Sequence, residues 1–394
     1  MAMLSVAEAQ SRLLALAEPL PIETVPLVAA AGRWAAEPVE ALRSQPAANL
    51  SAMDGYAISF ADLPGPWTVT GESAAGSGLD RPIGRGEAAR IFTGAPLPPG
   101  ADTILVQEET ARDGDHLSLA GDGPDRLGRS VRARGSDFPA GSPLITAGAL
   151  LTPARIALAA IAGHGMLAVR RRPRIVILST GNELVPPGAP AEGVMLPASN
   201  GPMLAALLAG TAEAEDRGIV RDDLDALAVA FTDAAGAADI LVTTGGASVG
   251  DHDLVRPALA QAGAALDFWR VAMRPGKPLM AGILGNTLVL GLPGNPVSAF
   301  VTAILFLCPL VARLAGASDP LPRTQCLPLV RALRGNGERT AYLRATIEKG
   351  AIGALQDQDS AGLAALAAAE ALIIRAPHAP PLEAGASVEF LPLA

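Results

Sequence analysis

Three acidic residues, Glu183, Asp223 and Asp253, lie where short apolar runs give way to glycine, proline and polar residues. The runs read RIVILSTGNEL, DILVTTGGASVGDHD and TLVLGLPGNP, with the segment DRGIVRDDL after the first. Taken singly, each carboxylate reads more readily as a helix cap or a surface acid. Asp222 and Asp225, beside Asp223, show the same ambiguity. Brought to one edge, the three carboxylates gain a further use. They can hold a hydrated Mg²⁺, a hard cation that takes oxygen ligands, or accept from the donor groups of a heteroaromatic ring. The intervening TTGGASVGDHD loop carries Gly245, Gly246, Ser248 and Gly250. Glycines at a strand end let backbone approach a ligand and aim N–H groups at an anion. Their spacing is neither G-x-G-x-x-G nor G-x-x-x-x-G-K-[ST], so it indicates neither a dinucleotide fingerprint nor a P-loop.

A second group is cationic. FWRVAMRPGKPL supplies Arg270, Arg274 and Lys277 around a Pro-Gly turn. Arg suits a planar or bidentate oxyanion and Lys a point-like one, although a solvated strand face would also carry such residues. Pro293 and Pro296 frame the rigid LPGNP loop, and Asn295 is placed to cap the next helix with its side-chain oxygen. Upstream, Asp54 lies in NLSAMDGYA, Thr93 in RIFTGAPLPPGAD, and Arg132 and Asp137 in the polar segment GDGPDRLGRSVRARGSD. On chemistry alone, Asp54 reads first as a structural Asx-turn. No His or Cys cluster suits zinc, and no Ser–His–Asp pattern is present.

These residues need elements to bring them together. A β-branched run that breaks into a polar loop is a strand delivering that loop at its carboxyl end. Several in succession predict a parallel sheet with its site along one edge. Strands are expected at 175–179, 212–215, 240–244, 265–272, 279–284 and 287–291, with DRGIVRDDL as a loop. Helices are expected at 201–209, around Leu224–Phe231, after Asp253, and at 297–315 with a kink at Pro309. Residues 173–318 then form a three-layer α/β domain. Before it, Ser5 and Glu8 make a capping box for a helix over 5–18, and Thr152–Pro153 starts another ending near Gly163. Residues 1–48 and 141–172 are expected to form a discontinuous helical connecting region. It is interrupted by a β-rich domain over 49–140, inserted at a loop tip where insertions are tolerated. Arg170, Arg171, Arg172 and Arg174 mark the next boundary, as a solvated linker or a nucleic-acid contact. Residues 319–394 read as a small C-terminal β-domain, with the Ala- and Leu-rich run 361–371 taken as strand over helix.

Composition bounds the rest. At 394 residues the chain exceeds one ordinary core. Half of it is hydrophobic but only 3% aromatic, so the cores are built from Ala, Leu and Val. Net charge of −9 argues against general nucleic-acid binding while leaving room for a local basic pocket. Cys308 and Cys326 form no framework, and the N-terminus has no secretory pattern, so a cytoplasmic protein is expected. The apolar run 297–312 falls short of the roughly 20 residues a membrane span needs and reads as a buried helix.

The motifs SAMDGYA, IFTGAPLPPGAD, RRPRIVILSTGNELVPPG, VTTGGASVGDHD, RPGKP and LPGNP, in this order, resemble the molybdopterin molybdenumtransferase family, which includes the gephyrin E domain. The likeness covers nearly the whole chain. It implies a multidomain α/β plus β architecture: an α/β domain of molybdopterin-adenylyltransferase type, an inserted β-rich domain, a β-barrel-like C-terminal domain and a helical connecting region. It also implies an elongated homodimer whose active site lies between the α/β domain of one subunit and the β-domain of the other. The substrates would be molybdopterin-adenylate and molybdate, with Mg²⁺ assisting and AMP released. Contact with a molybdopterin adenylyltransferase and recipient molybdoenzymes follows, without nucleic acid or membrane. By motif match, Glu183, Asp223 and Asp253 stand for the acidic, metal-holding set. Arg270, Arg274 and Lys277 stand for the basic set, in which lysine is common at the first two positions. Asp54, Thr93, Arg132 and Asp137 stand for the β-domain set, and Pro293 and Pro296 for the molybdate loop. Asn182 stands where many relatives have Asp. A molybdopterin adenylyltransferase and a non-enzymatic scaffold are the competing readings.

Overall fold

A computed structural model describes residues 3–245 and 254–393, with the backbone only for Phe268 and Trp269. Its centre is a six-stranded sheet in the order Glu213–Val220, Arg174–Thr180, Ile240–Thr244, Thr287–Leu292, Pro278–Leu284, Ala265–Arg270. The first four strands pair in parallel. Pro278–Leu284 runs antiparallel to both of its neighbours. That reversed strand puts its own N-terminal end, and the 274–277 loop before it, at the edge where the parallel strands finish.

Alternation along the strands explains the layers. Ile175, Ile177, Ile240, Val242, Leu288 and Leu290 face one helical layer, built on Asn200–Leu208 and the long helical stretch from Pro296. Val176, Leu178, Leu241 and Val289 face the other, with Leu224–Ala237 and Val255–Gln261. A sheet covered on both faces gives near-continuous apolar strands. The strand expected at 212–215 extends through Val220, so most of the segment read as a loop is strand.

The long helical stretch is α-helix over Pro296–Thr302, π-helix over Ala303–Leu307 and α-helix over Cys308–Leu314. Pro309 cannot donate to the Leu305 carbonyl four residues earlier. The Gln10 side-chain amide donates to that oxygen at 2.8 Å. Gln10 belongs to helix Val6–Ala15, whose capping box between Ser5 and Glu8 forms as the sequence predicts. Val6, Ala9 and Leu13 of this helix join the α/β core, so it packs there and not beside the second predicted helix. The connecting region proper combines that second helix, Pro153–Ile161, with an antiparallel ribbon, Ile22–Pro26 against Met166–Arg170. The basic boundary is structural. Arg171 grips Asp239 with two bonds of 2.8 Å, and Arg170 donates to the Leu20 carbonyl.

The β-rich insertion is a six-stranded mixed sheet in the order Thr103–Val106, Gly55–Ile58, Glu87–Ile91, Trp67–Ser73, His116–Leu119, Thr110–Asp113. The chain enters and leaves it side by side. Pairing of 39–40 with 143–145, of Gln45 with Phe138 and of 50–51 with 131–132 runs up that stalk. In the C-terminal domain, Thr340–Glu348, Ala371–Arg375, Ser387–Pro392 and Gln325–Pro328 pair in sequence. Ala351–Ala354 pairs with Thr340–Glu348, and a Leu329–Ile352 bridge closes the sheet on itself. The run expected as strand at 361–371 holds a short helix, Leu363–Ala367, before its strand begins. Ala and Leu favour that helix once the preceding loop is pinned.

Gln10→Met keeps length and removes the donor to a buried carbonyl. It is expected to cost about 1–3 kcal/mol in urea unfolding, the cost of an unpaired buried acceptor. A variant as stable as the parent contradicts this role for Gln10.

Candidate functional site

The parallel strands end together, and a cleft of about 1250 Å³ opens along that edge. Glu183, Asp222, Gly245, Arg274, Lys277, Pro293 and Pro296 all line it. The acidic and cationic loops therefore meet, as the sequence predicts. Gly181 is required by its backbone conformation, and Gly245 by both conformation and crowding against backbone. Gly181 has φ +148°, and a Cβ there would stand 2.5 Å from Glu183 Oε2. Gly245 has φ +93°, and a Cβ would stand 2.5 Å from the Thr180 carbonyl oxygen.

The 221–223 loop differs from expectation by one residue. Asp223 caps helix Leu224–Ala237, accepting from the Ala226 N–H at 2.8 Å, and it does not line the cleft. Asp222 does. Both acids precede the helix, and the sequence pattern alone does not separate cap from ligand face. Asp222 is tied to Asn182: the Asn182 N–H donates to Asp222 Oδ2 at 3.1 Å, and the Asp222 N–H donates to Asn182 Oδ1 at 3.2 Å. Arg270 ends its strand at the same sheet edge, paired with Pro278, with its carbonyl accepting from the Leu4 N–H, and is not among the residues lining the cleft. Gly246, Ser248, Gly250 and Asp253 lie outside the described residues.

The cationic loop is held from outside its own domain. Met273–Arg274 adds as a parallel strand to Thr340–Glu348 of the C-terminal sheet. Neither Arg274 nor Lys277 has an ion-pair partner among the described residues. The C-terminal domain also brings Arg339, Gln358, Asp359 and Ser360 to the cleft. Sequence reasoning missed this wall, because nothing in a β-domain 60 or more residues downstream signals which loop folds back. The loop is pinned by buried Arg344, which donates to the Gly362 carbonyl at 3.1 Å and the Asp357 carbonyl at 3.0 Å. Ser360 then does what Asn295 was expected to do. The Ser360 carbonyl accepts from the Val297 N–H at 3.2 Å at the start of helix Pro296–Thr302. Asn295 makes no side-chain cap and instead donates from Nδ2 to Ser360 Oγ at 3.1 Å. Asn200 contributes a buried Oδ1 with no partner among the described residues, while its Nδ2 donates to the Gly294 carbonyl at 2.8 Å.

Asp54, Thr93, Arg132 and Asp137 do not line this cleft. Two of them form a unit in the β-domain. Asp54 Oδ1 accepts from the Thr93 N–H at 2.7 Å and from its hydroxyl at 2.8 Å. Arg90 lies beside it, stacked on Tyr56 and Phe92, and donates to the Gly55 carbonyl at 3.0 Å. Arg132 sits in the short pairing with 50–51, and the Asp137 N–H donates to the Gln45 carbonyl at the stalk. Both side chains are exposed. Neither cysteine lines the cleft, and burial pushes the Cys308 thiol up to about 12. Among the described residues no cluster of three His, Cys, Asp or Glu side chains forms a metal cage.

Comparison with known proteins matches the whole domain series. Residues 4–163 match the MoeA N-terminal region (domain I and II), residues 176–313 a probable molybdopterin binding domain, and residues 327–393 the MoeA C-terminal region (domain IV). The molybdopterin molybdenumtransferase of a Nostoc species is 38% identical, covering 75% of this chain and 70% of its own. That of Haemophilus influenzae is 35% identical, covering 80% and 78%. The crystal structure of a molybdopterin biosynthesis MoeA protein from Pyrococcus horikoshii superposes over the full length of both chains, with a TM-score of 0.82 and 26% identity. The chain belongs to the molybdopterin molybdenumtransferase family.

The Thr93 N–H, and then its hydroxyl, hold the Asp54 carboxyl below the ordinary carboxylate value. The folded value is depressed, so this contribution to stability is complete above the unfolded value and is lost as pH falls through the folded one. Thr93→Val removes the hydroxyl donor. It is expected to raise the Asp54 pKa, read by carboxyl NMR titration of the full chain. An unmoved titration contradicts the pairing.

Proposed function

We propose that the chain is a molybdopterin molybdenumtransferase: it places molybdate on the dithiolene of adenylyl-molybdopterin, with release of AMP. The observation that carries this reading is one cleft with carboxylates, Glu183 and Asp222, and cations, Arg274 and Lys277, that have no ion-pair partner among the described residues, on loops at one edge of the sheet. The substrates bring the matching groups: a molybdate oxyanion, a pyrophosphate link and a ring rich in hydrogen-bond donors. Arg274 and Lys277, with Arg339 from the C-terminal domain, lower repulsion between molybdate and the substrate phosphates. Pro293 and Pro296 keep the molybdate side of the cleft rigid. Gly181 and Gly245 let the substrate lie against backbone. Binding both reactants in one pocket converts their encounter into a positioned reaction. Molybdenum is substrate, held by the sulfurs of the pterin.

Mg²⁺ fits the donor set. It commonly takes one or two protein carboxylates and completes its shell with water and substrate phosphate oxygens. Glu183 and Asp222 would hold it, with Asp253 from the neighbouring loop. When bound, it supplies polarisation of a phosphoryl oxygen in the pyrophosphate link.

Asp54, Thr93, Arg132 and Asp137 join the reading through a homodimer in which the β-domain of one subunit covers the cleft of the other. The support is that these residues lie in the β-rich insertion and do not line the cleft of their own chain. We place the enzyme in the cytoplasm, receiving its pterin from a molybdopterin adenylyltransferase and passing the product to molybdoenzymes. The helical stretch long and apolar enough to cross a membrane, Pro296–Leu314, is mostly buried in the α/β core.

Purified protein mixed with molybdopterin-adenylate, Mg²⁺ and molybdate is expected to release AMP and yield cofactor that activates an apo-molybdoenzyme. Lys277→Gln should lower the rate roughly 10²-fold or more, as loss of a preorganised electrostatic contact does. ATP consumption with molybdopterin alone would assign an adenylyltransferase. No turnover under either condition would leave a scaffold. The intersubunit site has its own check: mixing inactive Asp54→Asn and Lys277→Gln dimers, then letting subunits exchange, should restore activity. No recovery in exchanged heterodimers would place the site within one subunit.

A further inference from the structure

Asn182 and Asp222 join two loops that are forty positions apart in the chain. The first follows strand Arg174–Thr180 and carries Glu183. The second follows the neighbouring strand, Glu213–Val220. The two residues bond reciprocally, each backbone N–H to the other's side-chain oxygen. A reciprocal pair fixes both loops at once, because neither can shift without breaking both bonds. Among the described residues Asp222 has no second restraint of this kind: the carboxylate of Asp223 is committed to its own helix cap. Asp222 Oδ2 accepts from the Asn182 N–H, which leaves Oδ1 without a protein donor among the described residues.

We propose that Asn182 is a positioning residue that aims the Asp222 carboxylate, alongside Glu183, at a divalent cation in the cleft. The inference rests on the metal part of the proposed function. The Asn182 side chain acts as an acceptor for backbone and is not itself a ligand. A carboxylate at 182 would serve equally as that acceptor and would add charge. An alanine would keep the backbone N–H that donates to Asp222 Oδ2 but remove the acceptor for the Asp222 N–H, loosening the backbone behind the carboxylate. Partners that orient metal ligands typically contribute about 10–100-fold to metal affinity.

Mn²⁺ binding to the full chain without substrate, followed by electron paramagnetic resonance, separates this inference from the reaction itself. Asn182→Ala is expected to weaken Mn²⁺ binding about 10-fold. Asn182→Asp should bind at least as tightly as the parent, and Asp222→Asn should bind more weakly than the parent. Thermal melting of each variant reports whether it folds, and Asn182→Asp keeps the test open if the alanine variant does not. Wild-type affinity in Asn182→Ala overturns the proposal. So does an Asn182→Asp variant as weak as the alanine variant, or a parent chain that binds no Mn²⁺. A parent that binds Mn²⁺ with the expected ranking but releases no AMP would sink the proposed reaction and leave the role of Asn182 intact.

Discussion

Parallel hydrogen bonding among four neighbouring strands is the constraint on which the rest depends. The registers of Glu213–Val220, Arg174–Thr180, Ile240–Thr244 and Thr287–Leu292 bring their carboxyl ends to one edge. Loops distant in sequence are thereby forced into one neighbourhood. The antiparallel strand Pro278–Leu284 brings its leading loop to the same edge from the opposite direction. Acidic groups arrive from parallel strands, and cations arrive from the reversed one. Charges of opposite sign thus share a cleft, with no ion pair between them among the described residues.

Stability of that arrangement comes from outside the sheet as much as from within it. Helix Val6–Ala15, at the start of the chain, fills one face of the α/β core and supplies the amide that answers Pro309. The C-terminal barrel takes Met273–Arg274 into its own sheet and returns a loop, pinned by Arg344, to cap helix Pro296–Thr302. The first and last segments of the chain therefore both act on the geometry of the central domain. Removing the C-terminal domain would remove a wall of the cleft and the strand partner of the cationic loop together.

Much of this was readable from residue types. Val and Ile runs breaking into Gly-rich loops gave the strands and their edge, and the positions of Glu183, Arg274, Lys277, Pro293 and Pro296 on one cleft followed from that edge. Hydrophobic periodicity does not say which side chain of an acidic pair caps a helix, and here Asp223 caps while Asp222 lines the cleft. It does not reveal long-range replacements either: Ser360 caps in place of Asn295 because the fold brings a distant carbonyl closer than the local amide. Asp216, Arg217 and Gly218 make the second half of the edge strand Glu213–Val220 look like a loop. An edge strand has one side facing solvent, and its sequence carries the polarity of that position.

The central claim is that the cleft beside Arg274 and Lys277 receives molybdate. Crystals of the protein soaked in molybdate, measured at the molybdenum absorption edge, test it directly. The account predicts an anomalous peak in the cleft within hydrogen-bonding reach of those cations, lost in Lys277→Gln. A peak on another surface, or a cleft without molybdenum at saturating concentration, would contradict it.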